Sequence, residues 1–177
     1  MQSTMRRRPR VDLSRKLALA GFLVCTGLIG FALFLQYFRG LEPCPLCMIQ
    51  RVVFIAIGFV FLIAAIAGPK GFFVKVYGVV AALLAITGVG FAMRHVWLQW
   101  NPPQMESCTA GLFTQLQRLP FASVIERALY ATGDCARIDW TLLGLSIAEW
   151  SLLWFVALAI LSVVYLTRKP RNRSNWL

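Results

Sequence analysis

Four stretches of about twenty predominantly apolar residues, at roughly 17–37, 48–67, 72–93 and 147–166, limit what this chain can fold into. Each is long enough to cross about 30 Å of hydrocarbon as a helix. None carries a charge in its middle; Arg51, Lys75 and Glu149 lie near the ends, where long side chains reach the interface. Lipid gives backbone groups no hydrogen-bond partner, so spans of this length must be helices; barrel strands are half as long. With 59% hydrophobic and only 14% charged residues, a soluble domain of 177 residues could not hide so much apolar surface. The expected fold is therefore an all-α membrane protein, a four-helix transmembrane bundle forming one domain over residues 1–177.

Basic residues set the orientation. Arg6, Arg7, Arg8, Arg10, Arg15 and Lys16 precede the first span, opposed only by Asp12, and Arg168, Lys169, Arg171 and Arg173 follow the last. The short connection between spans two and three holds Lys70 and Lys75 and no acid. By the positive-inside rule these regions, including the tails 1–16 and 167–177, are cytoplasmic. The connections 38–47 and 94–146 then face outward. The longer one is nearly balanced, with Arg94, Arg118, Arg127 and Arg137 against Glu106, Glu126, Asp134 and Asp139. The net charge of +11 thus reflects topology and contact with anionic lipid. No aromatics interleave with the basic tails, so nucleic-acid binding is not expected. The first apolar run is too long for a signal-peptide core and lacks an Ala-x-Ala exit, so it reads as an uncleaved anchor.

Of five cysteines, four fall in the outward connections, a side where disulfides persist if it is an oxidising compartment. Cys25 lies alone within the first span and reads as a small buried apolar residue. Cys44 and Cys47 form a Cys-x-x-Cys pair just before the second span, and Cys108 and Cys135 lie in the long connection. Three readings of these four compete. Two structural disulfides are one; closing the Cys108–Cys135 loop would stabilise the fold by about 3.6 kcal/mol on the chain-entropy account. A four-cysteine zinc site is another, disfavoured because Cys108 and Cys135 are far apart where zinc ligands normally pair closely, so no metal is expected. The third is a redox relay, since a Cys-x-x-Cys pair is a two-electron couple.

The residues around Cys47 favour the relay. If the second helix starts near Cys44, Pro45 takes a first-turn position where its missing N–H costs nothing. Cys47 then lies in the first turn, where unpaired N–H groups and the positive dipole end favour a thiolate. Arg51 follows four residues later on the same face, where a cation could hold Cys47 ionised and stabilise an anionic oxygen just inside the bilayer. The plainer reading of Arg51 is an interfacial anchor, but its offset from Cys47 argues for function. His95, the single histidine, closes the third span beside Trp97 and Trp100, which suit an interfacial aromatic belt. It is read either as an interface residue or as a proton carrier, because His is the side chain most easily protonated near neutral pH.

Between Cys108 and Cys135 apolar residues recur at helical spacing, interrupted by Pro120. These pieces are too short and amphipathic to span and are expected to be short helices on the membrane surface, keeping both cysteines near the bilayer. Gly133-Asp134 before Cys135 is a turn signal that would give it a mobile seat.

Leu41-Glu42-Pro43-Cys44-Pro45-Leu46-Cys47 with Gln50-Arg51, His95-Val96-Trp97-Leu98-Gln99, Gly133-Asp134-Cys135 with Trp140, and Leu143-Gly144-Leu145-Ser146 with Trp150 together resemble the DsbB family. Its members are bacterial inner-membrane disulfide bond formation proteins, and the resemblance extends from the first span to the last. It implies that the long loop is periplasmic and that reduced DsbA, a soluble thioredoxin-fold oxidase, attacks the Cys108–Cys135 disulfide through Cys108. Cys135 would then exchange with Cys44, giving a transient Cys44–Cys135 bond. Cys47 would be left as a thiolate facing a quinone, ubiquinone or menaquinone, in a charge-transfer complex. Arg51 and His95 match residues of the family's quinone site. The expected partners are thus a DsbA-type oxidase, the membrane quinone pool and the bilayer, with the protein acting as a monomer.

Energetics constrain any such relay. DsbA sits at about −120 mV, so a structural disulfide at about −300 mV would oxidise it uphill by about 180 mV, or about 8 kcal/mol. Either one pair is an unusually strong oxidant or thiolate–quinone chemistry pulls each transfer. Two further readings stay open: a paralogue serving a dedicated DsbA-like partner, and a four-span scaffold merely stapled by disulfides. A vitamin K epoxide reductase-like protein would carry its cysteine pairs in the reverse order.

Overall fold

Small residues at intervals of three and four decide how the long helices pack. Apolar surface gives no net drive between helices in lipid, so association depends on close approach. In the computed structural model, which describes residues 13–40, 43–67, 72–102, 133–136 and 140–167, the first three helices are α1 (Leu13–Arg39), α2 (Pro45–Ala67) and α3 (Phe72–Trp100). A single helical turn α4 (Gly133–Ala136), a hairpin of β1 (Thr141–Leu142) and β2 (Leu145–Ser146), and α5 (Ile147–Thr167) complete it. The expectations for Cys108, the surface helices beyond it and most of both tails lie outside the described residues; residues 13–16 and Thr167, assigned to the tails from sequence, belong to helices.

The chain is an all-α membrane protein: α1, α2, α3 and α5 are each long and apolar enough to cross a bilayer. The helices run past the apolar stretches, most of all α3, which continues from Met93 to Trp100. Leu23, Phe59, Leu83 and Ile160 are among many large apolar residues left exposed, as a lipid-facing surface requires.

The inward seam of α3 reads Val74, Gly78, Ala81, Ala85, Gly88, Ala92, His95. Its three- and four-residue steps keep one face against α5 and α2, and the same register delivers His95 to the interior at the far end. A methyl group at Gly78 would lie 2.6 Å from Leu166, and one at Gly88 would overlap the Phe155 ring. On α1 the matching seam is Ala18, Gly21, Cys25 and Leu35. Gly21 receives Phe61, and Cys25 packs its Cβ against Gly58, so Cys25 is the small buried spacer expected of it.

Phe155 cannot retreat from Gly88, because its other face stacks on Phe54 with centroids 3.9 Å apart and planes 6° from parallel. Gly88→Ala is therefore expected to destabilise the bundle by about 1–3 kcal/mol. Thermal unfolding in detergent checks this against Gly90→Ala, whose added methyl meets nothing within 4 Å and should cause no loss.

Contact is extensive between α3 and α5, α1 and α2, and α2 and α3, but sparse between α1 and α5. The bundle is thus a ring with one loose seam. At the end carrying Cys44 the hairpin spans that seam. Trp140 packs on Phe31 of α1 at 5.9 Å, and Trp150 of α5 donates to the Leu142 carbonyl at 3.1 Å. The hairpin turn places both Leu143 (φ 55°) and Gly144 (φ 83°) in the left-handed region, the geometry of a type I′ turn. Ser146 caps α5 in a reciprocal box. Its Oγ accepts the Glu149 N–H at 3.3 Å while the Glu149 carboxylate accepts the Ser146 N–H at 2.7 Å. The Ser146 hydroxyl also donates to Gln99 at 2.7 Å, fastening the start of α5 to the end of α3.

Candidate functional site: a dithiol at an apolar pocket

The α2 N-terminus is built from the cysteine pair itself. Cys44 is the cap: its carbonyl accepts the Met48 N–H at 3.1 Å and its sulfur accepts the Cys47 N–H at 3.3 Å, as a serine or aspartate oxygen would. Pro45 then occupies the first helical position, where no donor is missed. This local geometry brings Cys44 Sγ and Cys47 Sγ within 3.0 Å, with the Cys44 thiol donating to Cys47. The first-turn amide expected to favour charge on Cys47 is thus spent on Cys44, so it is the Cys44 sulfur that holds the cap.

Cys135 joins the pair from α4. It is 1% exposed and its thiol hydrogen-bonds Cys44. Where the sequence suggests an open turn, one helical turn packs against α3 and seats Cys135 in the interior. The three free thiols form a hydrogen-bonded line, Cys135 to Cys44 to Cys47, along which thiol–disulfide exchange needs only small displacements.

The Cys135 hydrogen bond pulls the Cys44 pKa down, but bonding to Cys47, burial and charge on Cys47 outweigh it and push Cys44 above the ordinary thiol range. A raised pKa leaves Cys44 as the protonated thiol at neutral pH, and only the thiolate is nucleophilic. In the fully reduced protein at pH 8, iodoacetamide should modify Cys44 at least about tenfold more slowly than an exposed thiol. Its rate should still climb beyond pH 9, as peptide mass spectrometry would record.

His95 and Gln50 are buried beside the pair. The His95 Nε2 lies 3.7 Å from Cys44 Sγ and its Nδ1 3.4 Å from the Gln50 side-chain nitrogen. The ring also hydrogen-bonds the Cys135 backbone. Arg51, expected to face Cys47, instead turns its guanidinium to α1, donating to Gln36 Oε1 at 2.5 Å and to the Ala32 carbonyl at 3.2 Å. The structure thus brings Cys44, Cys47, Cys135, Arg51 and His95 to one end of the bundle, and Cys108 lies outside the described residues.

These groups border a cavity of about 350 Å³ beneath the loose seam between α1 and α5. Its walls are Leu28, Ala32 and Leu35 of α1, Phe54 of α2, and Trp150 and Trp154 of α5, with Trp140 above. Its polar points are Gln36, Gln50, Arg51, His95, Gln99, Ser151 and the two sulfurs. An apolar slot with few polar groups suits a flat hydrophobic molecule bearing acceptor oxygens. Cys44, Cys47 and His95 also offer three metal-ligating atoms within 4.8 Å of one another. Closing the Cys44–Cys47 bond would remove two of those ligands, so a resident ion and redox cycling exclude each other.

Sequence reasoning passed over Gln36, and it quoted Gln50, Gln99 and Ser146 within motifs without giving them a role. Gln36 and Ala32 are one turn apart on α1, a spacing that says they share a face but not that Arg51 meets them. Ser146-Ile147-Ala148-Glu149 did carry a legible capping box.

The sequence matches the family described as disulfide bond formation protein DsbB over residues 14–165. It is 44% identical over 149 residues to a disulfide bond formation protein B of Azoarcus sp., covering 84% of this chain and 90% of that one. A protein of the same description from Aromatoleum aromaticum is 41% identical over 156 residues, 88% and 94% of the two chains. The disulfide bond formation protein B 1 of Pseudomonas aeruginosa is 46% identical over 156 residues, 88% and 96%.

Proposed function

The chain belongs to the DsbB family of disulfide bond formation proteins, and from that premise we propose that it reoxidises a periplasmic DsbA-type dithiol oxidase and passes the electrons to membrane quinone. The observation that carries this reading is the hydrogen-bonded line of thiols from Cys135 through Cys44 to Cys47, opening on an apolar cavity that holds a fixed arginine. A disulfide-stapled scaffold needs neither the third sulfur at the pair nor the cavity.

On this reading one DsbA thiolate attacks Cys108 of the Cys108–Cys135 disulfide, and Cys135 leaves as a thiolate. Cys135 attacks Cys44 of the Cys44–Cys47 disulfide, and the electron pair leaves on Cys47. The second DsbA thiol resolves the mixed disulfide, giving oxidised DsbA and a free Cys108. Cys108 then attacks Cys135, restoring that disulfide and releasing Cys44. The net result is one oxidised DsbA and a reduced Cys44–Cys47 pair. A quinone, when bound, would supply a sink for two electrons and two protons, and Cys44 and Cys47 are the residues that would deliver the electrons and close again as a disulfide. Arg51 offers an oxygen of the acceptor a cation already held in place, and the apolar walls keep water from the thiolate. Either ubiquinone or menaquinone suits such walls. The protein would lie in the bacterial inner membrane, with both termini cytoplasmic and the cysteine-bearing end periplasmic, and one copy holds every residue the relay uses.

The test mixes oxidised protein in detergent with reduced DsbA and a soluble quinone under anaerobic conditions. Quinone absorbance should fall only when DsbA is present, one quinone per DsbA oxidised. No loss with any DsbA-like donor, despite an intact fold, would sink the relay.

A further inference from the structure

We propose that Gln50 is a positioning residue: it holds His95 in the tautomer whose Nε2–H faces Cys44, so that the imidazole stabilises Cys44 as it departs from Cys135. This rests on the relay reading and gives His95 a task in the thiol chemistry as well as a place on the cavity wall.

Gln50 and His95 are each 3% exposed, so neither has free access to water. A neutral imidazole has one donor nitrogen and one acceptor, and the neighbour of one nitrogen decides the state of the other. The Gln50 amide nitrogen can only donate, and it stands 3.4 Å from Nδ1. With Nδ1 as the acceptor the one ring proton sits on Nε2, 3.7 Å from the Cys44 sulfur, where it is shared with the Cys135 backbone that the ring also bonds. The opposite tautomer would set two donors against each other at Gln50 and aim a lone pair at a sulfur that becomes negative. Among the described residues no buried polar side-chain atom is left without a partner, so the orientation is consistent with its surroundings.

The step that needs this donor is the attack of Cys108 on the Cys44–Cys135 bond. The Cys108–Cys135 bond forms, the Cys44–Cys135 bond breaks, and the electron pair goes to Cys44, with no net proton transfer. While Cys135 is in the disulfide it has no thiol hydrogen to offer Cys44. The Cys47 N–H, 3.3 Å away, and the His95 Nε2–H are then the donors that meet the departing sulfur. A thiolate with one of its two donors reversed is a poorer leaving group, and burial already opposes charge on Cys44.

The chain has one histidine, so ¹⁵N-histidine labelling, with purification through a histidine-free tag, gives one imidazole spectrum in micelles. The expected wild-type result is a pyridine-like Nδ1 and a protonated Nε2. Gln50→Leu should mix the tautomers and lower kcat with reduced DsbA about 10-fold to 100-fold. A wild-type ring protonated at Nδ1 overturns the proposal, and that reading needs no variant to fold. So does a Gln50→Leu protein whose tautomer is unaltered, or whose tautomer shifts while kcat does not. Absent turnover in the wild type would instead defeat the relay reading, and the tautomer would still be measured.

Discussion

Cys47→Ser is expected to oxidise one equivalent of DsbA per protein and then stop, consuming no quinone. The Cys108–Cys135 disulfide would remain available for a single exchange, because Cys47 takes no part in it. Recharging it requires a second disulfide, and a hydroxyl beside Cys44 cannot form one. Multiple-turnover quinone reduction should fall by at least about 1,000-fold, equivalent to about 4 kcal/mol in the barrier. The structure makes the substitution mild otherwise: the Cys47 N–H, not its sulfur, holds the Cys44 cap at 3.3 Å. Stopped-flow thiol titration with quinone absorbance separates the outcomes. Sustained turnover in this variant would mean that electrons leave from Cys44, and the order of the sulfur line would be wrong.

The order of the sulfurs follows from the family resemblance alone, whereas the start of α2 is legible in the residues themselves. The spacing of Cys44, Pro45 and Cys47 identifies a helix start, since proline at the first position and a side-chain acceptor at the cap are local requirements. The four apolar runs identify the spans for the same reason: a bilayer imposes its thickness on a continuous stretch of chain. What stayed hidden are relations between helices. Gln50 reads as one more polar residue beside Arg51 until the small-residue seam of α3 turns His95 toward it. Gln36 gives no sign of its tie to Arg51, because a spacing of fifteen residues across a turn carries no periodicity. The hairpin is obscure for a different reason. Leu143 adopts a positive φ that asparagine or glycine would announce, and leucine does not. Cys135 could be named from the sequence, but its burial beside Cys44 depends on how α4 meets α3.

The relation between Arg51 and α1 makes the sharper quantitative forecast. Gln36 Oε1 and the Ala32 carbonyl take two of the guanidinium's five N–H donors, at 2.5 Å and 3.2 Å. The side chain is thereby fixed in the cavity wall with donors left for a bound oxygen. Arg51→Met keeps much of the side chain's length and apolar stem but loses that charge-assisted bond, worth about 1.5–3 kcal/mol. The KM for quinone should rise about 10-fold to 100-fold, while single-equivalent oxidation of DsbA continues at the wild-type rate. Arg51→Lys should not restore it, because an ammonium is a point charge and cannot brace both acceptors on α1 while facing the cavity. Gln36→Leu should fall between: the Ala32 carbonyl still orients the guanidinium, but one brace is gone. Arg51→Met strands two acceptors on α1, while Gln36→Leu strands a guanidinium N–H on α2, so unfolding in detergent must be followed alongside; an unsatisfied buried group costs about 1–3 kcal/mol. A variant that loses stability yet keeps the wild-type KM would make Arg51 a clasp between α1 and α2, and the cation would have no part in holding the electron acceptor. A raised KM in both Arg51→Met and Gln36→Leu, larger in the first, would place the acceptor's oxygen against a guanidinium that α1 holds in position.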